Sequence, residues 1–176
     1  MKLLLLALSL FDGQSLAGWY PVGEAAWRVE QGALVASGEE QGFLASDAEF
    51  ADFRLSLDFC VDGTTNSGVF IRCTDRGRIH PDNCYELNIW DRHPRQEART
   101  GAIVFRVMPP LAEVQTIGRW NRLEVTAAGS MIELAINGEV TARLDNAEAG
   151  SGFIALQHAE QGVVKFRNIQ LTLMED

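Results

Sequence analysis

Alternation of apolar and polar residues is the feature that most restricts the fold of this chain. In residues 53–61, FRLSLDFCV, every second side chain from Phe53 to Val61 is apolar and all but one of those between are polar. A period of two is typical of a strand with one buried face. No stretch of similar length shows the 3.6-residue period of an amphipathic helix. The pattern therefore indicates a fold built from strands.

Turn-forming segments separate a series of further short strands. DGTTNSG (62–68) precedes VFIRC (69–73), and CYELNIW (84–90) and TGAIVFRV (100–107) are predicted strands further along. Asn137-Gly138, between ELAI and EVTARL, is a strong hairpin signal because both residues accept positive φ. Regularly spaced short strands with almost no helix predict an all-β fold, an antiparallel β-sandwich or jelly roll.

The length of 176 residues suits one domain with its own core, and no repeat or linker divides it. We expect a single domain over residues 9–176. The first eight residues belong to the apolar run MKLLLLALSL, which has two interpretations. It is either a truncated signal peptide, with small residues at Ala7 and Ser9, or a buried first strand. It is too short to span a bilayer, so no membrane insertion is expected.

The charge balance narrows the set of partners. The formal net charge is -9, with 15 basic residues scattered among 24 acidic ones. Nucleic acid and anionic membranes are poor partners for such a surface. Arg92, Arg95 and Arg99 form the densest basic group, which we interpret as a solvated loop.

Three cysteines cannot all pair within the chain. Cys73 and Cys84 flank a loop and could form a bridge. Alternation argues mildly against it, because Cys73 is in phase with Ile71 while Cys84 is in phase with Glu86, so a bridge would need a bulge or a strand end. The pairing stays open. No cysteine or histidine spacing typical of zinc is present.

Three of the predicted strands, 53–61, 68–73 and 84–90, follow one another and are expected to lie side by side. If their apolar faces point to the core, the other faces bring together Asp58, Arg72, Glu86, Phe70 and Trp90. Such a surface is either a ladder of ion pairs or a sugar-binding face. The aromatic residues favour the sugar-binding face, because rings stack on apolar sugar faces while carboxylates and amides bind hydroxyls.

The chain resembles the 3-keto-disaccharide hydrolase domain family in its motifs and in their order. The resemblance runs through SLFDGQSLAGW (9–19), GFLASDAEFADFRLSLDF (42–59), NSGVFIRC (66–73), CYELNIWD (84–91), WNRLEVTAAGSMIELAINGE (120–139), GFIALQH (152–158) and VVKFRNIQL (163–171). It implies a concanavalin A-like, laminarinase-like jelly roll. It also implies a periplasmic or secreted protein that acts on 3-keto-glycosides.

The resemblance implies roles for individual residues. Glu86 would be the catalytic base, Arg72 the clamp on an enolate or a hydroxyl, and Asp58, Asp91 or His93 an acid or metal ligand. The substrate-binding set would be Asn66, Phe70, Asn88, Trp90, Asp91, His93, Gln157 and His158. Asn88 departs from the family pattern, in which Gln is common near that place.

The predicted function is cleavage of 3-keto-disaccharides and related 3-keto-glycosides. A carboxylate removes the acidified hydrogen at sugar carbon 2, an oxyanion stabiliser holds the enolate, and an acid assists the leaving oxygen. The alternatives are a non-catalytic carbohydrate-binding module on the same fold and an interaction domain of a larger assembly. No cofactor is certain, and a divalent metal is an open alternative.

Overall fold

The computed structural model describes residues 6–159 and 161–174 and contains two antiparallel sheets. The strands, in chain order, are β1 Ala7–Ser9, β2 Trp19–Gly23, β3 Trp27–Glu30, β4 Ala33–Ser37, β5 Gly42–Phe50, β6 Phe53–Val61, β7 Asn66–Cys73, β8 Tyr85–Ile89, β9 Trp120–Ala128, β10 Met131–Ile136, β11 Glu139–Leu144, β12 Gly152–Ala159 and β13 Val163–Leu173. A short 3-10 helix, Gln96–Ala98, lies in the long connection from β8 to β9. The predicted jelly-roll sandwich is confirmed.

The larger sheet has eight strands, with the order β11-β10-β9-β6-β13-β4-β3 and β1 paired to β13. The smaller sheet has five, in the order β2-β5-β12-β7-β8. The core lies between them, and alternation places Leu57 and Phe59 from one sheet and Leu87 and Ile89 from the other in it, all fully buried. Burial of these two apolar faces is the main stabilising term of a sandwich.

Several local predictions are confirmed. The β10–β11 hairpin turns at Asn137 and Gly138, with φ of 52° and 81°. Val69 and Ile71 of β7 and Leu87 and Ile89 of β8 face the core, as their alternation predicts. The polar face of β8 therefore points away from the core.

Two predictions about strands are wrong. β6 does not pair with β7: it pairs with β9 and β13 in the larger sheet. The segment between them crosses to the other sheet, and Asp62 holds it there by accepting hydrogen bonds from the backbone of Thr64 and Val163, at 2.9 and 2.8 Å. Residues 100–107 form no regular strand, only isolated bridges of Ile103 with Leu87 and Val107.

The N-terminal run enters the fold at β1, which pairs along β13 from Ala7↔Thr172 to Ser9↔Gln170. Residues 1–5 lie outside the described part of the chain, so the signal-peptide interpretation stays an expectation. Among the described residues, no helix has the length and apolar character needed to cross a bilayer.

Candidate functional site

The outer face of the five-stranded sheet carries the candidate site. Cross-strand pairing aligns Glu86 with Phe70 and Phe70 with Ala155. Directly opposed residues share a face and lie about 5 Å apart. The carboxyl of Glu86 therefore stands beside an aromatic ring on the side of the sheet that faces away from the core.

A second row runs parallel to the first, two residues along. It aligns Asn88 with Gly68, Gly68 with Gln157, and Gln157 with Phe43. Gly68 has no side chain, so a gap lies between the amide side chains of Asn88 and Gln157. The rings of Phe43 and Phe70 meet edge to face with centroids 5.2 Å apart.

Two loops raise walls around these rows and form a cleft of about 300 Å³. One wall is the β7–β8 loop, which contributes Ile79, His80 and Pro81. The other is the first part of the β8–β9 connection. The remaining lining residues are Phe43, Asn66, Phe70, Glu86, Asn88, Trp90, His93, Arg95, Ala98, Val104, Phe105 and Gln157.

Glu86 is the unusual group in this cleft. It is 8% exposed, and its carboxyl has no hydrogen-bond partner among the described residues. Burial without compensating donors disfavours the carboxylate and raises the pKa of Glu86 from 4.5 to about 7. A carboxyl group that changes charge near neutral pH is suited to move protons.

Two amide oxygens in the cleft are also without partners. Asn88 Oδ1 and Gln157 Oε1 are buried and accept no hydrogen bond from the described residues. The amide nitrogen of Asn88 donates to the Ala98 carbonyl, which lies in the 3-10 helix. Buried acceptors that the protein leaves empty are the exception in folded proteins, and here they line a cleft.

Two imidazoles line the walls with one ring nitrogen already engaged. His80 Nδ1 lies 2.6 Å from the Asp82 carboxylate. His93 Nδ1 lies 3.0 Å from both the amide nitrogen and the carbonyl oxygen of Arg95. The His93 ring packs edge-on against Trp90, with centroids 4.3 Å apart. In each case Nε2 remains for a ligand.

The prediction that Arg72 shares this face is wrong. Its guanidinium donates to Asp52 at 2.9 Å and to the carbonyls of Ala51, Gly129 and Glu148 at 3.1, 2.7 and 3.1 Å. The side chain is 3% exposed. Arg72 has φ of 51°, at a bulge that turns it away from the face that carries Phe70. Arg72 therefore links separate segments of the backbone, and its guanidinium cannot reach an enolate in the cleft.

Asp58 also lies elsewhere, because β6 belongs to the other sheet. Its carboxylate accepts hydrogen bonds from Arg122 at 3.1 Å and Asn168 at 2.6 Å. Partial burial would raise the pKa of Asp58, but the hydrogen bonds from Asn168 and Arg122 outweigh it and hold the pKa below its usual value. Asp58, Arg72 and Glu86 therefore do not converge, and the predicted three-residue site is wrong as an arrangement.

Asp91 and His158 are placed in structural roles. The Asp91 carboxylate accepts hydrogen bonds from the Thr100 hydroxyl at 2.5 Å and the Thr116 amide at 2.6 Å, which tie the ends of the β8–β9 connection. His158 is fully buried, with its ring nitrogens 2.8 Å from the Glu40 carbonyl and 3.2 Å from the Gly162 carbonyl. Neither lines the cleft.

The structure thus brings together seven of the predicted site residues and adds others. Those in the cleft are Glu86, Asn66, Phe70, Asn88, Trp90, His93 and Gln157. Sequence reasoning missed Phe43, His80, Arg95 and Phe105. Phe43 lies in the strand segment GFLAS, where its apolar side chain is typical of a core residue, and Arg95 belongs to a dense basic group that is typical of a solvated loop. Only the His-Pro pair at 80–81, set between two cysteines, offered a signal.

Cys73 and Cys84 form a disulfide. Two residues of β7, Ile71 and Arg72, oppose the single residue Ile154 of β12. This extra residue shifts Cys73 onto the cleft side, in phase with Cys84. The bridge closes the base of the loop that carries Ile79, His80 and Pro81.

A larger groove of about 400 Å³ lies on the other side of the 3-10 helix. Several of its polar groups are already paired: Asp91 binds two threonines, and Gln96 donates to Glu113. The smaller cleft, with its unpartnered carboxyl and amide groups, is the better candidate for ligand binding.

A metal centre does not fit the residues present. Within 6–159 and 161–174, no three His, Cys, Asp or Glu side chains are grouped closely enough to hold a cation. The cleft itself offers one carboxyl group and two imidazoles whose Nδ1 atoms are engaged.

Comparison with known proteins decides the family. The model of the 3-keto-alpha-glucoside-1,2-lyase-like domain matches residues 7–172, nearly the whole chain. The chain belongs to this family. The resemblance noted in the sequence is confirmed, and the chain is a carbohydrate-active type of domain. Among curated proteins no match was found.

Solved structures share the fold of this family member. A candidate glycosyl hydrolase from Parabacteroides distasonis has a TM-score of 0.83 at 18% identity, covering 96% of this chain and 94% of that one. A second one from the same organism has a TM-score of 0.73 at 25% identity, covering 89% and 99%. The carbohydrate-binding module CBM66 from Bacillus subtilis has a TM-score of 0.62 at 17% identity, covering 87% and 94%.

Proposed function

We propose that the protein cleaves 3-keto-glycosides by elimination, with Glu86 as the base. The observation that carries the proposal is the buried, unpartnered carboxyl of Glu86 in a cleft lined by aromatic rings and empty amide oxygens. A base works best when its pKa lies near the working pH, and burial brings the pKa of Glu86 to about 7. Family membership supplies the substrate class.

The reaction needs three groups: a base, a donor that stabilises the enolate oxygen, and an acid. The ketone at carbon 3 acidifies the hydrogen at carbon 2, which the Glu86 carboxylate removes. The resulting enolate expels the glycosidic oxygen from carbon 1, which leaves a carbon 1–carbon 2 double bond. The leaving oxygen takes a proton from an acid, and water then adds across the double bond to complete hydrolysis.

Two residues of the β8–β9 connection are suited to the remaining roles. Arg95 is the single guanidinium that lines the cleft within the described residues, and it replaces Arg72 as the group that stabilises the enolate oxygen. His93 is held through Nδ1 by the backbone of Arg95, so Nε2 is free to act on the leaving oxygen. The packing of Trp90 against the ring fixes its position.

Replacement of Glu86 by Gln tests the base. We expect Glu86→Gln to abolish release of reducing sugar from 3-keto-trehalose and 3-keto-sucrose while calorimetry still detects binding of both. The wild-type rate should rise with pH through about 7, because only the carboxylate accepts the proton. Glu49→Gln, on the exposed part of the same sheet, is the matched control and should retain turnover.

Replacement of Arg95 tests the clamp. Arg95→Met should lower kcat/KM by about 10²–10³, the usual loss for one oxyanion donor. Arg92→Met removes a neighbouring arginine that contacts Gly63 rather than the cleft and should change little. If wild-type protein binds these sugars but releases no product, the domain is a carbohydrate-binding module instead.

The disulfide supports a location outside the cytoplasm, because such bonds persist in oxidising compartments. We propose that the protein works in the periplasm or is secreted. Fractionation of cells that express the full-length gene, with alkylation to count free thiols, tests this: one reactive thiol, from Cys60, is expected outside the cytoplasm.

A further inference from the structure

We infer that Gly68, with Asn88 and Gln157 on either side, forms a subsite that recognises the substrate by two of its hydroxyl groups. The inference rests on the proposed sugar cleft and adds which groups of the sugar are recognised. Its basis is the row Asn88–Gly68–Gln157 across three neighbouring strands, β8, β7 and β12.

The direction of the Asn88 amide is set by the protein. The Ala98 carbonyl can only accept a hydrogen bond, so the group that faces it must be the Nδ2 donor. Oδ1 then has to point elsewhere, and it is buried without a partner. Asn88 is 3% exposed, so this acceptor is a fixed feature of the cleft floor.

Gly68 provides the space between the two amides. A Cβ built at this position would lie 3.3 Å from the Leu87 carbonyl oxygen, 3.4 Å from Phe70 Cε2 and 3.5 Å from Gln157 Oε1. The missing side chain thus leaves a niche bounded by an aromatic ring and an amide oxygen. The edge of a pyranose ring can enter where any larger residue would fill the row.

The chemistry of the niche selects its ligand. Asn88 Oδ1 and Gln157 Oε1 accept hydrogen bonds, so the groups opposite them must donate. Sugar hydroxyls donate, whereas the ketone oxygen has no hydrogen and a carboxylate or phosphate would be repelled by these two oxygens. The subsite therefore takes neutral sugars with free hydroxyls, and the ketone points instead to the donors of the walls, Arg95 and the imidazoles.

Leaving a buried acceptor without its donor is costly, so loss of a recognised hydroxyl should show directly in affinity. The probes are methyl 3-keto-α-D-glucopyranoside and its 2-, 4- and 6-deoxy analogues, titrated calorimetrically into Glu86→Gln protein. We expect two of the three analogues to bind about 10-fold more weakly than the parent or worse. Gln157→Leu should remove the discrimination at one position and Asn88→Leu that at the other.

Gly68→Ala tests the niche without removing either amide. Its φ is not in the left-handed region, so alanine should fold there after a small shift of the Leu87 carbonyl, and the added methyl should weaken all probes by about 10-fold while lowering the Tm only slightly. Gly77→Ala, on an exposed turn with only Asp75 Oδ1 near the added carbon at 3.4 Å, is the control and should bind as the parent does.

The outcomes separate this inference from the proposed function. Equal affinity for all deoxy analogues, unchanged binding by Gly68→Ala, or no binding of the parent sugar would each overturn the subsite. Turnover of 3-keto-trehalose by wild-type protein decides the proposed function independently. Selective binding without turnover would support the subsite and contradict the proposed enzymatic function.

Discussion

At the scale of single residues, the cleft is built from groups that the protein leaves unsatisfied. Glu86, Asn88 and Gln157 each bury polar atoms that find no partner among the described residues. Such groups cost stability, so a fold that keeps three of them around one cleft resembles a ligand site more than a packing defect. Asp58 and Asp91, by contrast, have their carboxylates fully engaged.

The free-energy cost of burying the Glu86 carboxyl group depends on pH. Between pH 4.5 and about 7 the native protein keeps a proton that the unfolded chain has released, so stability falls as pH rises through this window. A rise from 4.5 to about 7 corresponds to about 3 kcal/mol. Glu86→Gln should therefore match wild type in free energy of unfolding below pH 4.5 and exceed it by up to about 3 kcal/mol above pH 7.

Urea denaturation at pH 4 and pH 8 measures this difference. A variant whose advantage is the same at both pH values would show that the carboxyl does not titrate with a raised pKa. Glu49→Gln, which removes an exposed carboxylate in an ion pair with Arg76, serves as the control and should be no more stable than wild type at pH 8.

At the scale of elements, one extra residue in β7 decides which side chains reach the cleft. The bulge opposite Ile154 sends Arg72 toward Asp52 and brings Cys73 to the outer face. Gly152 permits this geometry, because a Cβ there would collide with the backbone of Arg72 and Cys73. Strict alternation assigns both β7 residues to the wrong side because it has no means to place an unpaired residue.

The disulfide that the bulge allows should matter for binding as well as stability. Cys73→Ser with Cys84→Ser opens a loop of 11-residue separation, which should lower the free energy of unfolding by about 2–3 kcal/mol. It should also weaken sugar binding, because the wall with Ile79, His80 and Pro81 is no longer closed at its base. Denaturation and calorimetry measure the two effects.

Cys60→Ser is the matched control, since Cys60 is the free cysteine and lies on the other sheet. It should leave sugar affinity unchanged. If the double variant binds sugar as tightly as wild type does, the disulfide is not needed to hold the loop in place. Backbone hydrogen bonds, such as the one from Thr74 N to Asn83 O at 3.2 Å, would then be sufficient.

At the scale of the whole molecule, the cleft depends on connections between the two sheets. Arg72 joins the turn after β5, the β9–β10 turn and the segment before β12 through Ala51, Gly129 and Glu148. These segments are distant in sequence and are held by one guanidinium. Arg72 therefore contributes to the fold at the end of the sandwich, not to the chemistry in the cleft.

Loss of the Arg72 guanidinium should lower the stability of the protein without changing the reaction in the cleft. Arg72→Met removes the guanidinium donor from three carbonyls and from Asp52, which is 26% exposed and keeps the Gly129 amide, so the loss should be about 1–3 kcal/mol. Urea denaturation measures the loss. Arg122→Met, in a half-exposed pair with Asp58, should cost under about 1 kcal/mol.

Turnover per folded molecule, measured well below the Tm, completes this test and should be unchanged in Arg72→Met. A stable Arg72→Met protein with lost turnover would restore Arg72 as the clamp. That result would place the guanidinium in the cleft during catalysis, contrary to the structure.

Much of the local structure was predictable from the sequence. The period of two assigned the core and outer faces of β6 and β8, so Leu87 and Glu86 were placed on the correct sides. Asn137-Gly138 predicted its hairpin, because those residues accept the positive φ that the turn requires. The order of motifs predicted the family. Each of these signals lies within a few residues or in the motifs themselves.

Only the tertiary structure decided which faces meet. Asp58 and Glu86 both point away from the core, yet they lie on opposite sheets because residues 62–65 cross between the layers. That crossing, like the bulge at Arg72, is stabilised by contacts between residues far apart in the chain, such as Asp62 with Val163 and Arg72 with Glu148. Alternation specifies the side of a strand but not its neighbour, so Glu86 and Phe70 could be placed on one face from the sequence, whereas Phe43 and Arg95 could not be placed beside them.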